Sequence, residues 1–228
     1  MITTTNILNF AGYRLINLGV TLDNVHQYDK KEFARYKKED PYEDKRVDYP
    51  LTVDSIVVDI GGLTGDWAQR IYCRYNCNIA VFEPHPVLSA QAMSNFHGNP
   101  KVTIYPIALG KEDGTLTLYG DNPNASLFRN SAGKEYVVKV CKTSDTFRRL
   151  YLGKKIDLVK INVEGSEYDI LPDLIGHYDM TSIRDIQIQF HSNVSGWRGR
   201  RNEIREYLAA THKCNWCYET IFENWTLK

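Results

Sequence analysis

Residues 56–65 read Ile-Val-Val-Asp-Ile-Gly-Gly-Leu-Thr-Gly, and Glu83 follows 24 residues after Asp59, in Ala-Val-Phe-Glu-Pro. Asp59 lies near the end of one apolar run, and Gly61, Gly62 and Gly65 make a turn. A second apolar run ends at Glu83 and Pro84. An α/β sheet holds a nucleoside with such parts: the glycines let the backbone approach the ligand, and the distal acid accepts hydrogen bonds from ribose hydroxyls. The spacing here is Asp-x-Gly-Gly-x-x-Gly, not the Gly-x-Gly-x-x-Gly of dinucleotide sites. That difference fits a nucleoside without a pyrophosphate, so S-adenosylmethionine is the expected cofactor ahead of NAD. The alternative is that the glycines serve tight strand–helix packing alone.

A second set of polar residues stands at later strand ends. Ile-Asp-Leu-Val-Lys-Ile-Asn-Val-Glu-Gly-Ser-Glu spans 156–167, and Gln-Ile-Gln-Phe-His spans 187–191. Strand alternation would put Lys160, Asn162 and Glu164 on one side, with His191 opening the next loop. Each has an ordinary structural explanation: Lys160 pairing with a carboxylate, Glu167 opening a helix against its dipole, His191 capping a turn. Their joint convergence at one sheet edge is the stronger sign of a site.

The elements that must position these residues alternate from Asp54 onward. Strands are predicted at Ser55–Ile60, Asn78–Phe82, Val102–Ala108, Ile156–Asn162 and Ile183–Phe190. Helices are predicted at Asp66–Tyr75, Val87–Phe96, Ser144–Leu150, Glu167–Leu174 and Arg198–Ala210. Gly114–Tyr119 and Glu135–Cys141 flank a polar loop as an inserted β-hairpin, and Trp216–Phe222 reads as an antiparallel edge strand. Near-continuous apolar strands in repeated βα units imply an α/β fold with a doubly wound, mostly parallel sheet. Its ligands bind beyond the carboxyl ends of the strands. Residues 1–50 read as a small helical cap, with helices at 6–22 and 27–38, placed before a cofactor domain at 51–228.

Three segments together resemble the FkbM-type methyltransferases, a class I S-adenosylmethionine-dependent family with a Rossmann-like fold. They are Val-Val-Asp-Ile-Gly-Gly-Leu-Thr-Gly, Phe-Glu-Pro and Ile-Asp-Leu-Val-Lys-Ile-Asn-Val-Glu-Gly-Ser-Glu-Tyr-Asp-Ile-Leu. The likeness covers roughly 52–222 and includes Tyr-Pro-Ile-Ala-Leu-Gly at 105–110 and Asn-Ala-Ser-Leu at 124–127. Asp157, Lys160, Glu164, Gly165 and Glu167 match the family pattern, whereas Asn162 stands where the family usually carries Asp. The resemblance implies that Asp59, Gly61, Gly62 and Gly65 hold the methionine part of the cofactor. Glu83, followed by Pro84, would hold the ribose, and Ala108 would border the adenine. It also implies O-methylation of a hydroxyl on a sugar or other small metabolite.

Methyl transfer from a sulfonium is an in-line displacement, and a hydroxyl acceptor must lose a proton near the transition state. His191 is the first choice of general base by its intrinsic pKa and Glu164 the second, with Lys160 and Asn162 orienting the acceptor. No metal is expected, because too few carboxylates are present with Asn162 in place of Asp. After His191 comes Ser-Asn-Val-Ser-Gly-Trp, then Arg198, Arg200 and Arg201. An aromatic face with guanidinium groups suits an anionic or anion-tagged acceptor.

Two rivals belong to other classes. An NAD(P)-dependent oxidoreductase is disfavoured by the glycine spacing and the lack of a Tyr-x-x-x-Lys relay. A catalytically silent cofactor-binding domain is kept in view by Asn162.

The 28 basic and 28 acidic residues balance, which gives no field for nucleic acid or an anionic membrane. There is no Asn-Pro-Pro-Tyr-like run at the fourth strand's end and no Pro-Cys pair, which also argues against nucleic acid as substrate. The 228 residues suit one large domain or a domain with an appendage. The run Ile7–Val20 is interrupted by Arg14 and has neither a basic leader nor a cleavage site, so the expectation is a soluble cytoplasmic protein without membrane insertion. Five cysteines, an odd number, do not read as a disulfide framework. Cys214 and Cys217, with His212 nearby, lack a second ligand pair and read as structural thiols rather than a zinc or redox site.

Overall fold

The computed structural model of the chain describes residues 27–119 and 134–228. The expected helix at 6–22 and the polar hairpin loop with Asn-Ala-Ser-Leu at 124–127 lie outside the described residues.

In chain order, α1 (Gln27–Glu39) precedes β1 (Ile56–Ile60), α2 (Asp66–Tyr75), β2 (Asn78–Phe82), α3 (Pro86–Asn95) and β3 (Val102–Tyr105). Next come β4 (Ala108–Gly110), β5 (Gly114–Tyr119), β6 (Glu135–Lys142), α4 (Thr143–Tyr151), β7 (Ile156–Ile161) and α5 (Glu167–His177). Then follow β8 (Ile183–Ile188), α6 (Trp197–Thr211), β9 (His212–Tyr218) and β10 (Phe222–Leu227).

Seven strands form the main sheet in the order β3-β2-β1-β7-β8-β10-β9. The first five run parallel, and β10 is antiparallel to both its neighbours. The architecture is a doubly wound, mostly parallel α/β sheet of Rossmann-like type. Its strand order reverses between β1 and β7, so the crevice for a ligand opens beyond the carboxyl ends of those two strands.

Alternation along the strands divides the core. Val58, Ile60, Val159 and Ile161 pack with Phe147 of α4, Ile170 and Leu171 of α5, and Ile204 and Leu208 of α6. Val57, Ile79, Val81 and Leu158 pack on the other face with Trp67, Ala68 and Ile71 of α2. Period-two alternation then carries Asp59 and Lys160 onto the α2 face, and the register makes them direct neighbours across β1 and β7.

On that same face β8 and β10 are polar, and the N-terminal segment covers them. Gln187 donates to the Arg46 carbonyl at 2.9 Å and to the Tyr49 hydroxyl at 2.8 Å. Tyr49 in turn donates to Asn224 at 3.1 Å. Trp67 Nε1 donates to the Arg46 carbonyl at 2.9 Å. At the far edge the ring of Tyr36 in α1 meets Tyr218 at 5.1 Å, in a T-shaped contact.

Three element predictions need correction. The strand predicted to run to Ala108 stops at Tyr105, because Pro106 has no N–H for the ladder. The hairpin strands β5 and β6 do pair antiparallel, but β4 joins them in a separate three-stranded sheet. The predicted edge strand at 216–222 spans a turn, where Thr220 takes a φ of 64°. Its first residues, 216–218, do belong to the antiparallel edge strand β9, and after the turn the chain returns as β10 between β8 and β9.

Candidate active site

The turn after β1 is shaped first by the protein itself. Gly61 has a φ of +80°, and a Cβ there would lie 2.0 Å from the Asn162 carbonyl oxygen. A Cβ on Gly62 would meet Val81 Cγ1 at 2.1 Å, and one on Gly65, at a φ of +87°, would meet Phe96 at 2.6 Å. The packing reading of the glycines therefore holds at all three positions. The side-chain space belongs to the residue after β7 at Gly61, to β2 at Gly62 and to the residue after α3 at Gly65. The consequence is a tight turn whose amides are fixed: Gly61 N–H and Gly62 N–H donate to the Phe82 carbonyl at 2.9 and 3.2 Å.

Glu83 is buried just beyond β2. Its carboxylate accepts from the Leu63 N–H at 2.8 Å and the His85 N–H at 3.0 Å, tying the β2 end to the glycine turn. Leu63 itself stands at a φ of 53°, a costly conformation for a side chain of its kind. Pro84 is half-buried between Glu83 and His85, and Ala108 lies past the end of β3, where it opens β4.

Asp59 and Lys160 form a buried ion pair under this turn. Lys160 Nζ lies 2.7 Å from Asp59 Oδ1, and the side chains are 4 % and 0 % exposed. The same ammonium donates to the Gly61 carbonyl at 2.9 Å. Asp59 Oδ2 is buried without a hydrogen-bond partner among the described residues. The carboxylate pairing expected as the structural explanation of Lys160 is thus present, and its ammonium contacts Asp59 and the glycine turn. β7 ends at Ile161, so the alternation that would have aligned Lys160 with Glu164 stops there. Asn162 is also fixed at this seam, its N–H donating to the Ile60 carbonyl at 3.0 Å.

On the other side of β7 lies a second group. Glu164 has a φ of 55° and Gly165 one of 116°, an abrupt reversal that turns Glu164 toward β8. His191 Nδ1 lies 3.1 Å from Glu167 Oε1, and Nε2 lies 3.5 Å from Glu164 Oε1. Burial works against the charged ring, but Glu167 and Glu164 outweigh it and push the His191 pKa up to about 10. An imidazolium has no lone pair for a proton, so His191 does not suit the general-base role read from its intrinsic pKa. In the sequence Glu167 stands as a helix opener and as a match to the family pattern, with no role read for it at the site. The three-residue spacing from Glu164 was the available signal for a paired role.

The arginines after the β8 loop are mostly committed elsewhere. Arg201 is buried and pairs with Glu223 at 2.6 Å, and Arg205 reaches the same carboxylate at 2.5 Å. Arg200 binds the Tyr168 carbonyl at 2.8 Å and Asp169 at 3.2 Å. Arg198 is exposed, its guanidinium 4.3 Å above the Trp197 ring.

Cys214 and Cys217 lie on β9. Burial pushes the Cys217 thiol up to about 12, with Glu223 adding to it, and burial raises Cys214 as well. Thiols held protonated are poor metal ligands and poor nucleophiles. Among the described residues no group of three or more His, Cys, Asp and Glu side chains could hold a metal ion. No helix among them is long and apolar enough to cross a membrane.

The residues around the turn fit S-adenosylmethionine. An orphaned carboxylate oxygen on Asp59 suits an ammonium donor, and Glu83 places a second carboxylate beside the glycine turn, an acceptor of the kind that binds hydroxyls.

The chain is similar to a curated protein, Methyltransferase 1 of Beauveria bassiana (strain ARSEF 2860), at 28 % identity over 159 residues. The match covers 58 % of this chain and 63 % of that relative, so the chain spans under two thirds of the relative's length. Among solved structures, the Methanococcus jannaschii fibrillarin pre-rRNA processing protein matches with a TM-score of 0.46 and 12 % identity, over 78 % of this chain and 68 % of its own. A putative rRNA methylase from Clostridium thermocellum matches with a TM-score of 0.46 and 9 % identity, over 88 % and 97 %. Residues 59–216, well over half of the sequence, match the Methyltransferase FkbM domain. The matched stretch runs from Asp59 through Glu83, Lys160, Glu164 and His191, and the chain therefore belongs to the FkbM methyltransferase family, with S-adenosylmethionine as its cofactor.

Proposed function

We propose that this protein is an S-adenosylmethionine-dependent O-methyltransferase acting on a hydroxyl of a sugar or other small metabolite. The observation that carries the reading is the placement of Glu164. It is a partly exposed carboxylate at the carboxyl end of β7, beside the strand whose end forms the cofactor turn. A hydroxyl acceptor needs a proton acceptor at that position.

Each side of the crevice has its own task in this reading. Asp59, held by Lys160 beneath the glycine turn, receives the amino-acid end of the cofactor, and Glu83 receives the ribose. When bound, the cofactor supplies an electrophilic methyl group on a sulfonium. The Glu164 side receives the acceptor, which the protein aligns for in-line attack. Asn162 lies at the seam between the two, its backbone against Gly61.

Arg198, stacked on Trp197, supports an acceptor carrying an anionic tag such as a phosphate. Arg200 and Arg201, engaged internally, are withdrawn from that role.

The test is turnover of labelled S-adenosylmethionine against a panel of hydroxylated metabolites, each offered with and without a phosphate group. Transfer to a hydroxyl, lost in Glu164→Gln, supports the reading. Cofactor binding without transfer to any member would favour a catalytically silent domain. Arg198→Ala should raise the KM of the phosphorylated acceptor in a salt-sensitive way. A KM unchanged by the substitution would remove the anionic tag from the account.

A further inference from the structure

His191 is engaged at every polar atom. Its N–H donates to Glu167 Oε1 at 2.7 Å, and its carbonyl accepts from the Tyr168 hydroxyl at 2.9 Å. Nδ1 faces Glu167 at 3.1 Å and Nε2 faces Glu164 at 3.5 Å. An ionised carboxylate offers lone pairs and no proton. Both ring nitrogens can therefore satisfy their partners only as donors, which is the doubly protonated ring.

Glu167 is fully buried and anchors the arrangement from the first turn of α5. Besides His191 it accepts from the Gly165 N–H at 2.9 Å, closing the reversal that presents Glu164. That reversal is strained, since Glu164 is a non-glycine residue at a φ of 55°. The next loop leans on the same point: a Cβ on Gly165 would meet Val194 at 2.9 Å. One buried carboxylate and one ring thus fix the loops after both β7 and β8.

We propose that His191 is a positioning residue, an imidazolium clamped by Glu167 that holds the Glu164 carboxylate in place at the acceptor side. Resting on the methyltransferase reading, Glu164 is then the group that takes the acceptor's proton. As the acceptor oxygen bonds to the methyl carbon, the carbon–sulfur pair leaves on sulfur, and the hydroxyl proton passes to a Glu164 oxygen. A carboxylate paired with an imidazolium is a weak base, but the proton becomes strongly acidic as the oxygen acquires its third bond. Among the described residues, the charged groups facing the ring are Glu167 from α5 and Glu164 from the loop before it. Behind them, Arg200 and Arg201 lie over the rings of Tyr168 and Phe190.

The experiment is nuclear magnetic resonance on the full chain with S-adenosylhomocysteine bound, following imidazole nitrogens and glutamate carboxyl carbons from pH 3.5 to 10.5, on the scale of ordinary side-chain pKa values (about 4 to 10). His191→Gln and Glu164→Gln assign the two signals among the six histidines and the glutamates. Both His191 nitrogens should be protonated at about pH 8, well above the ordinary midpoint near 6.5. In Glu164→Gln that midpoint should fall by on the order of one pH unit, the scale of losing one adjacent charge. The Glu164 carboxyl titration should change between the wild type and His191→Gln, because the paired ring is removed. A wild-type His191 midpoint near 6.5 would overturn the proposal, as would a Glu164 titration indifferent to His191→Gln. Neither measurement involves methyl transfer, so an intact clamp in a protein that transfers nothing would count against the proposed activity alone.

Discussion

Replacing Lys160 by methionine tests whether that lysine holds the cofactor turn. The substitution keeps the side chain's length and bulk but removes the charge that lies 2.7 Å from Asp59 Oδ1. Asp59 is fully buried, its Oδ2 already lacks a hydrogen-bond partner among the described residues, and the Gly61 carbonyl would lose its donor as well. Breaking one partner out of a buried ion pair costs about 3–5 kcal/mol, chiefly because a charge is left uncompensated. For a chain of this size each kcal/mol lowers the melting temperature by roughly 2–4 °C. The expected loss is therefore about 6–20 °C, read by thermal unfolding with circular dichroism and checked by urea titration. The double variant Asp59→Asn with Lys160→Met should be more stable than Lys160→Met alone, since no charge is stranded. A Lys160→Met melting point within about 2 °C of the wild type, on the scale of 1 kcal/mol or less, would refute the reasoning. Combined with lost turnover, that result would return Lys160 to the acceptor.

Other substitutions test neighbouring parts of the account. Gly61→Ala places a methyl group 2.0 Å from the Asn162 carbonyl at a left-handed φ. It should cost at least about 1–2 kcal/mol from the backbone conformation alone and weaken S-adenosylhomocysteine binding. Wild-type melting and wild-type calorimetry in that variant would show that the ends of β1 and β7 are not so closely packed. Ellman's reagent at mildly alkaline pH should modify exposed Cys73 well before Cys217, whose thiol is pushed up to about 12. Equal rates, compared in Cys73→Ser and Cys217→Ser, would contradict the description of β9. His191 has its folded pKa raised to about 10 from an ordinary 6.5, so its contribution to stability is full below about pH 6.5 and is lost as pH rises toward 10. The urea stability of the wild type relative to His191→Gln should shrink over that window, and a difference that grows with pH would reverse the assignment.

Much of the molecule was legible because its strands are buried on both faces. Runs such as Ile-Val-Val-Asp-Ile and Ile-Asp-Leu-Val-Lys-Ile announce parallel strands, and the polar residues within or just after them are then confined to the sheet edge. The site's internal division was not legible. Lys160 and Glu164 are four residues apart, which alternation would place on one side. β7 ends at Ile161 and the chain reverses at Glu164, and sequence spacing carries no sign of a left-handed glutamate. The glycines were legible as a turn, but not which residues require them: Asn162, Val81 and Phe96 stand where a Cβ would be. Arg201 looked like a surface cation beside Arg198 and Arg200. Its carboxylate partner, Glu223, arrives from β10, which no local pattern placed between β8 and β9.

The central claim is that the Asp59–Gly65 turn and Glu83 form a site for an S-adenosyl nucleoside. Titration calorimetry of S-adenosylhomocysteine into the wild type and Glu83→Ala, with NAD as the comparison ligand, tests it most directly. Glu83 anchors the Leu63 and His85 amides and supplies the expected ribose contact, so the substitution should weaken binding by about 1.5–3 kcal/mol, or roughly 10- to 150-fold. NAD should give no heat of binding to either protein. NAD binding by the wild type, or S-adenosylhomocysteine affinity unchanged in a folded Glu83→Ala variant, would contradict the account.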